Sequence, residues 1–297
     1  MKKVLMIGST VCDIVLNLDH LPTRQEDVHP EKQTTRIGGC AFNAAHALAH
    51  LGIPYTFISP LGTGVYGDFI RKEIIKYGLE SSIFVDEENG SCLCFVEKDG
   101  ERTFLSMHGA EYTFQPEWLN SLNLEDYELG YFCGLEIEDR DGQALTDFVC
   151  SSKIQFLFAP GPRILHIQKD RMNQLLDHGV MLHLSDLEAM NYTQCTSVET
   201  AAEKLYEKTK NLVIVTCGEK GCYLKQEKGI WVNSIPVKVA DTIGAGDSHA
   251  GAFLAAMYRK KSFLECAAFA NKVAGKVVSS YSSVLSDEDA EELKKMI

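Results

Sequence analysis

The chain has 297 residues, of which 45% are hydrophobic and 24% are charged, as in an ordinary globular protein. Its 41 acidic residues against 29 Lys and Arg give a formal net charge of −12, which argues against nucleic acid and anionic membranes as partners. The ten cysteines are scattered, and the sequence has neither a signal-peptide core nor a run of about 20 apolar residues. We therefore expect a cytoplasmic protein with reduced thiols.

The first third of the chain alternates between strand and helix signals. Short apolar or alternating runs predict strands, and an alanine-rich stretch, AFNAAHALAHL, predicts a helix that ends at Gly52. In chain order we predict strands at 4–7, 13–18 and 32–37, a helix at 41–51, a strand at 55–61 and a helix at 68–77.

The segment 91–107 breaks this alternation. It consists of two alternating stretches joined at Asp99-Gly100, a dipeptide typical of a tight hairpin turn. Together with the strands at 13–18 and 32–37, this hairpin is expected to form a small antiparallel sheet that acts as a lid, built from residues near 12–37 and 89–110.

The remaining strands lie among helical stretches. We predict strands at 131–133, 154–158, 180–184, 212–216 and 235–239, a helix at 249–258 and a C-terminal helix that begins at Ser286. Such alternation predicts an α/β fold with a doubly wound, mostly parallel sheet. We expect one domain, 1–297, that carries the lid as an insertion.

The segment 241–247, D-T-I-G-A-G-D, lies before the predicted helix at 249–258. Gly244, Ala245 and Gly246 leave room for close approach, and the free N–H groups of a helix start suit a phosphate. Asp247 then places a carboxylate where it can accept a proton from a hydroxyl that attacks phosphorus. An ordinary strand-to-helix turn with a capping Asp remains an alternative for the bare G-x-G-D pattern.

A second glycine-rich segment, G-G-C-A-F-N at 38–43, precedes the first predicted helix. Its glycines permit a hinge or a close backbone approach, and the amide of Asn43 can both donate and accept hydrogen bonds with a polyhydroxy substrate. When this segment is taken alone, a glycine loop with a capping Asn is the favoured explanation.

The two segments together resemble the signatures of the ribokinase-like, or phosphofructokinase-B (PfkB), family of carbohydrate kinases. In that family G-G-x-x-x-N comes near the amino terminus and D-T-x-G-A-G-D near the carboxyl terminus. The resemblance also includes Asp13, the hairpin, V-T-C-G-E-K-G at 215–221 and Ala270-Asn271, so it covers essentially the whole chain.

The resemblance implies a role for each matching residue. Asp247 would be the catalytic base, and Gly244, Ala245 and Gly246 would stabilise the charge on the transferred phosphoryl group. The substrate would contact Asp13, Gly39, Asn43, Glu136 and Asp241; the nucleotide would contact Ser185, Thr216, Gly218, Gly221 and Asn271; and Glu188 would organise Mg²⁺ through water.

Two positions depart from the family pattern. Ser185 replaces the Asn of the family's N-x-x-E motif, and Ala159 stands where many relatives carry Asp. These changes leave open a non-catalytic sensor of sugar or nucleotide. They do not touch the base or the anion hole, so we expect an active enzyme that uses ATP and Mg²⁺.

The substrate stays open among sugars, sugar phosphates and nucleosides, with a neutral sugar such as fructose preferred. A nucleoside kinase of the same family is the main alternative. Arg36 and Arg102 on the lid strands are either solvated or able to meet an anionic group of the substrate. Relatives include kinases activated by K⁺, for which the sequence shows no site, and pairing of two lids would give a homodimer.

Two further patterns in the sequence match motifs of other kinds of site. Residues 62–67 match G-x-G-x-x-G between a predicted strand and helix, which is the context of an NAD-dependent dehydrogenase, although no acidic residue clearly ends the next strand. His46 and His50 have a spacing that suits zinc, but a plain helix face explains them better. A Walker A motif is absent from the sequence.

Overall fold

The structure is a computed structural model that describes residues 2–98, 101–138 and 141–297. The predicted turn at Asp99-Gly100 lies outside these residues. The strands are β1 (Lys3–Ile7), β2 (Val11–Asn17), β3 (Lys32–Gly38), β4 (Tyr55–Ile58), β5 (Leu61–Thr63), β6 (Phe84–Glu88), β7 (Ser91–Val96), β8 (Arg102–Met107), β9 (Tyr127–Cys133), β10 (Gln155–Ala159), β11 (Met181–Ser185), β12 (Val213–Thr216), β13 (Cys222–Lys225) and β14 (Gly229–Val232).

The helices surround a central sheet. They are α1 (Cys40–His50), α2 (Gly64–Lys76), α3 (Leu135–Glu138), α4 (Gly142–Ser151), α5 (Lys169–His178), α6 (Asp186–Thr193), α7 (Val198–Thr209), α8 (Ala245–Tyr258), α9 (Phe263–Val278) and α10 (Asp287–Leu293). No helix in the described part of the chain is long and apolar enough to cross a membrane.

The central sheet has eight strands in the order β14-β13-β12-β11-β10-β9-β1-β4. The six strands from β12 to β4 are parallel, and β13 and β14 add antiparallel neighbours at one edge. Val4 and Met6 face one hydrophobic core, with α1, α8 and α9, whereas Leu5 and Ile7 face another, with α4, α5 and α7. Helices therefore cover both faces, and the predicted doubly wound fold is confirmed.

A separate sheet of four strands, in the order β3-β2-β7-β8, forms the lid. Its outer pairs are antiparallel, as expected, but the central pair of β2 and β7 is parallel. Because β2 and β7 come from different parts of the chain, the lid joins two β-hairpin-like units side by side. The lid sheet is therefore mixed in its strand directions.

Further sequence predictions need correction, among them the helix predicted at 68–77, which begins at Gly64. The strand predicted at 55–61 is interrupted at Ser59 and Pro60, and its second part, β5, pairs with β6 in a small parallel sheet. The strand predicted at 235–239 joins no sheet, since Pro236 lacks an N–H donor and the apolar side chains of this segment line a cavity instead. The helix predicted from residue 249 begins at Ala245.

Candidate active site

The two glycine-containing motifs meet where α1 packs against α8. Gly251 makes this packing possible, because a Cβ atom there would lie 2.2 Å from the carbonyl oxygen of Ala44. Close to this contact, one residue before Ala44 on α1 and one turn before Gly251 on α8, Asn43 Nδ2 donates a hydrogen bond of 2.9 Å to Asp247 Oδ2. Residues 204 positions apart in the sequence thus form one polar cluster.

The amino end of α8 has an open approach for an anion. Gly244 precedes the helix with a φ of 76°, and a Cβ atom there would lie 2.0 Å from the carbonyl oxygen of Ser283. At Gly246 a Cβ atom would meet nothing within 4 Å. The helix start and the open space beside Ala245 and Gly246 fit the anion hole predicted from the sequence.

Asp247, at the third position of α8, has a perturbed acidity. Burial raises the pKa of Asp247 to about 6, hydrogen bonds from Asn43 and Cys40 oppose the rise, and the charge of Glu188 adds to it. A carboxylate with such a pKa is a better proton acceptor near neutral pH than an ordinary Asp.

Asp13 approaches the same cluster from strand β2 of the lid. Burial raises the pKa of Asp13 to about 7; Arg36, directly opposite on β3, lowers it, and Asp247 raises it. Gly38 leaves the space that this carboxylate needs, because a Cβ atom there would lie 2.0 Å from Asp13 Oδ2. Gly39 turns the chain with a φ of 108°, and a Cβ atom there would lie 2.6 Å from the carbonyl oxygen of Ser9.

Glu136 lies buried in α3, beneath the end of β1. Its Oε1 accepts a hydrogen bond of 2.6 Å from the backbone N–H of Ser9, and its Oε2 accepts one of 3.1 Å from the thiol of Cys133. Burial raises the pKa of Glu136. Its Oε1 thus holds the loop between β1 and β2, from which the lid begins, and its Oε2 holds the end of β9.

Asp241 forms a link between the lid and the loop before α8. Its Oδ1 accepts a hydrogen bond of 2.7 Å from Arg102 on β8, and its Oδ2 lies 3.9 Å from Arg36 on β3. Arg102 also donates to the hydroxyl of Thr242 at 2.6 Å. Both arginines were predicted to be either solvated or substrate-facing, and nothing in the sequence indicates this contact with Asp241.

Four of the five residues predicted to bind the nucleotide line one cavity of about 590 Å³, whereas Ser185 is not among its lining residues. Thr216, Gly218, Gly221 and Asn271 form one part of its wall, and Ala245 and Gly246 close its other end. The rest of the wall is largely apolar: Ile235, Pro236, Val237, Val239, Ala274, Gly275 and Val278. One cavity is thus lined both by these apolar residues and by the first residues of α8 at the anion hole.

Sequence reasoning missed this apolar wall. The alternation of Ile235, Val237 and Val239 was interpreted as a strand, yet Val239 is 59% exposed and all three side chains line the cavity. Three apolar side chains on one side of a proline-containing segment were the available signal.

Ser185 and Glu188 form a capping box at the start of α6. Ser185 N donates to Glu188 Oε2 at 3.0 Å, and Glu188 N donates to Ser185 Oγ at 3.3 Å. Burial raises the pKa of Glu188. Ser185 therefore orients the carboxyl of Glu188, although it is shorter than the Asn expected there. Ala159, at the end of β10, packs against the hydrophobic core.

The carboxylates of Glu188 and Asp247 fit Mg²⁺, because this ion keeps several waters and uses one or two carboxylates together with substrate phosphates. Among the described residues, no group of three His, Cys, Asp or Glu could hold a metal ion by itself. Glu188 and Asp247 are close enough for the charge of one to raise the pKa of the other. A divalent cation would relieve this repulsion.

The glycines of the G-x-G-x-x-G segment at 62–67 serve packing. A Cβ atom at Gly67 would lie 2.4 Å from the carbonyl oxygen of Gly62, and the backbone N–H of Gly62 donates to Asn89 at 2.7 Å. The turn is therefore closed on itself and offers no phosphate cradle, so the interpretation as a dinucleotide fingerprint is wrong.

A parallel α/β sheet, a lid, and a helix start beside a buried carboxylate are the parts of a phosphotransferase that closes over its substrate. The model of the pfkB family of carbohydrate kinases matches residues 1–290. An uncharacterized sugar kinase of Escherichia coli (strain K12), YegV, is 32% identical over 284 residues, which cover 93% of this chain and 88% of that protein. The chain belongs to the pfkB family and is an ATP-dependent carbohydrate kinase.

Solved structures show the same fold. Ribokinase from Thermotoga maritima superposes with a TM-score of 0.84 at 22% identity, over 99% of this chain and 100% of that one. Arabidopsis thaliana ribokinase complexed with ribose and ATP superposes with a TM-score of 0.80 at 22% identity, over 99% of both chains.

Proposed function

We propose that the protein transfers the γ-phosphoryl group of ATP to a hydroxyl group of a small neutral sugar. The observation that carries this proposal is the hydrogen bond of 2.9 Å between Asn43 and Asp247, which joins the two motifs beside the anion hole. Asp247 accepts the hydroxyl proton as the sugar oxygen bonds to phosphorus and ADP leaves.

The sugar would lie between the lid and α1. Asp13, Gly39 and Asn43 would contact it there, and burial raises the pKa of Asp13 to about 7, so its carboxyl group can accept or donate a hydrogen bond. We propose that the lid excludes water, which otherwise competes with the sugar for the phosphoryl group.

The nucleotide would occupy the cavity of about 590 Å³. Its base would lie against the apolar lining formed by the segment 235–239 and the α9 residues Ala274, Gly275 and Val278, since an aromatic base gains from contact with apolar surface. Its phosphates would then extend past Thr216 towards Ala245 and Gly246.

We propose Glu188 and Asp247 as the residues that hold Mg²⁺ through water. The ion would neutralise charge on the phosphates during transfer. The capping box with Ser185 fixes the carboxyl of Glu188 for this role. A monovalent cation such as K⁺ is included among the conditions that the assay varies.

A neutral sugar is favoured because the two lid arginines already lie beside Asp241. Arg102 donates to Asp241 and Thr242, and Arg36 Nη1 lies 3.9 Å from Asp241 Oδ2. An anionic substrate would have to displace these contacts. Fructose is therefore the first substrate to test, ahead of sugar phosphates.

The test is release of ADP by the purified protein with Mg²⁺, with and without K⁺, over a panel of sugars, sugar phosphates and nucleosides. Turnover with fructose or another neutral sugar at least tenfold above the rate without sugar supports the proposal. Turnover with nucleosides alone would assign a nucleoside kinase, and turnover with sugar phosphates alone would overturn the choice of a neutral sugar.

We also propose that the chain acts as one domain, 1–297, in the cytoplasm, as a homodimer through its lid. All ten cysteines are free thiols, which suits a reducing compartment. Phe104 and Leu105 on edge strand β8 are 56% and 55% exposed, and a second lid would cover them. Analytical ultracentrifugation of the protein and of the Leu105→Glu variant tests the dimer; equal masses would contradict this surface.

A further inference from the structure

Three buried polar side chains form a row beside the nucleotide cavity, which His249 and Asn271 also line and His183 does not. His183 on β11, His249 on α8 and Asn271 on α9 are 5%, 2% and 7% exposed. His183 Nε2 lies 2.9 Å from His249 Nδ1, and His249 Nε2 lies 3.2 Å from Asn271 Oδ1. None of the steps proposed for the transfer uses either histidine.

The partners of Asn271 fix the direction of both hydrogen bonds that join these three side chains. Its Nδ2 donates to the carbonyl oxygens of Val232, at 3.0 Å, and Asn233, at 3.2 Å. Carbonyl oxygens only accept, so Oδ1 must face His249, whose Nε2 must carry the proton. His249 Nδ1 is then an acceptor, and the donor to it is His183 Nε2.

Burial keeps both rings neutral, as this arrangement requires. It lowers the pKa of His249 to about 4 and lowers the pKa of His183 well below its usual value. A neutral ring with one donor and one acceptor satisfies both of its neighbours, and a buried polar group without a partner is costly.

Asn271, at the far end of this row of side chains, anchors one side of the nucleotide cavity. Val232 ends β14, and Asn233 begins the segment 233–240, which has no ladder hydrogen bonds of a sheet. The other end of this segment is held by the backbone N–H of Ala240, which donates to Val278 at 2.7 Å. Asn271 thus fixes one end of the wall, and both hydrogens of its amide are committed to this task.

We propose that His249 is a positioning residue for nucleotide binding. It acts through Asn271 to hold the segment 233–240, whose apolar side chains line the nucleotide cavity, in the position that a base requires. The inference rests on the proposed site for ATP. It makes Asn271 a support for the wall, since its amide nitrogen is already occupied. His249 lies two residues after Asp247, so α8 carries both the proposed catalytic residue and this support of the nucleotide cavity.

The test measures ADP binding by calorimetry in the absence of sugar, with KM for ATP, KM for sugar and kcat measured separately. His249→Phe keeps the ring shape and removes both hydrogen bonds, so the Kd for ADP is expected to rise about tenfold. KM for ATP should rise by a similar factor, whereas KM for sugar should stay within about twofold. His249→Gln keeps a donor near the position of Nε2 and should restore most of the affinity.

His46→Phe is the matched control, since His46 is another buried histidine, on α1, without contact to the nucleotide cavity. It should leave the Kd for ADP unchanged. If His249→Phe does not fold, His183→Leu removes the donor to His249 Nδ1 and should weaken ADP binding about threefold.

Wild-type affinity in His249→Phe, or in His183→Leu when it is used instead, would overturn the inference. A loss of thermal stability with unchanged ADP affinity would make these histidines part of the core only. If the unmodified protein binds no ADP or ATP, the proposed function itself fails, and this result is distinct from the others.

Discussion

Gly251→Ala tests whether the close packing of α1 and α8 positions the base. The added methyl would lie 2.2 Å from the carbonyl oxygen of Ala44, so the helices must separate by roughly 1 Å to reach ordinary contact. Such overpacking costs about 1 to 3 kcal/mol. The higher helix propensity of Ala offsets about 1 kcal/mol of this. We expect a net loss in the free energy of unfolding of about 1 kcal/mol.

The same displacement acts on the hydrogen bond between Asn43 and Asp247, which spans 2.9 Å between these helices. A misplacement of about 1 Å at a reacting group lowers turnover by roughly 100-fold. Thermal denaturation and sugar-dependent ADP release measure the two effects.

Gly275→Ala is the control for stability, because the nearest atoms to a Cβ atom there are side-chain atoms of Ile235 and Val237, at 3.3 to 3.5 Å, which can adjust more easily than a backbone carbonyl. Its higher helix propensity should raise the melting temperature. A Gly251→Ala variant that is more stable than the parent and fully active would refute the reasoning.

Three further predictions concern the charged groups of the site. Because Asp247 must be ionised to accept a proton and its pKa is about 6, kcat/KM should fall as the pH drops through 6, which gives the pH–rate profile an acidic limb. The hydrogen bond from Asn43 lowers the pKa of Asp247, so Asn43→Ala should move this limb to higher pH. Glu188→Gln should move the limb to lower pH and raise the Mg²⁺ concentration needed for half-maximal rate; an unchanged Mg²⁺ requirement would remove Glu188 from the metal site. Arg102→Ala should loosen the lid, so that the ratio of sugar-independent to sugar-dependent ADP release rises at least about fivefold, whereas an unaltered ratio would show that the contact with Asp241 does not hold the lid.

Much of the fold was predictable because its signals are local. The apolar runs at β1, β10, β11 and β12, and the helix α1 with its stop at Gly52, are each set by a few neighbouring residues. The two motifs could also be placed in one site, because together they resemble the two signatures of the pfkB family. Their contact at Asn43 and Asp247 agrees with that expectation.

What the sequence could not provide depends on contacts between distant residues. Nothing local in Arg102 or Asp241 indicates that they pair, because 139 positions separate them. The segment 235–239 has the alternation of a strand, yet its apolar side chains cover a cavity and Pro236 cannot take part in a ladder. The parallel pairing of β2 and β7 likewise follows from the tertiary arrangement of two hairpins.

The most direct test of the account is the turnover of Asp247→Asn with a sugar that the unmodified protein phosphorylates. The amide nearly matches the carboxylate in size but cannot accept the hydroxyl proton, so ADP release should fall by at least about 100-fold. Binding of ADP and the melting temperature should remain close to those of the parent. Turnover within a few-fold of the parent would contradict the assignment of Asp247 as the base.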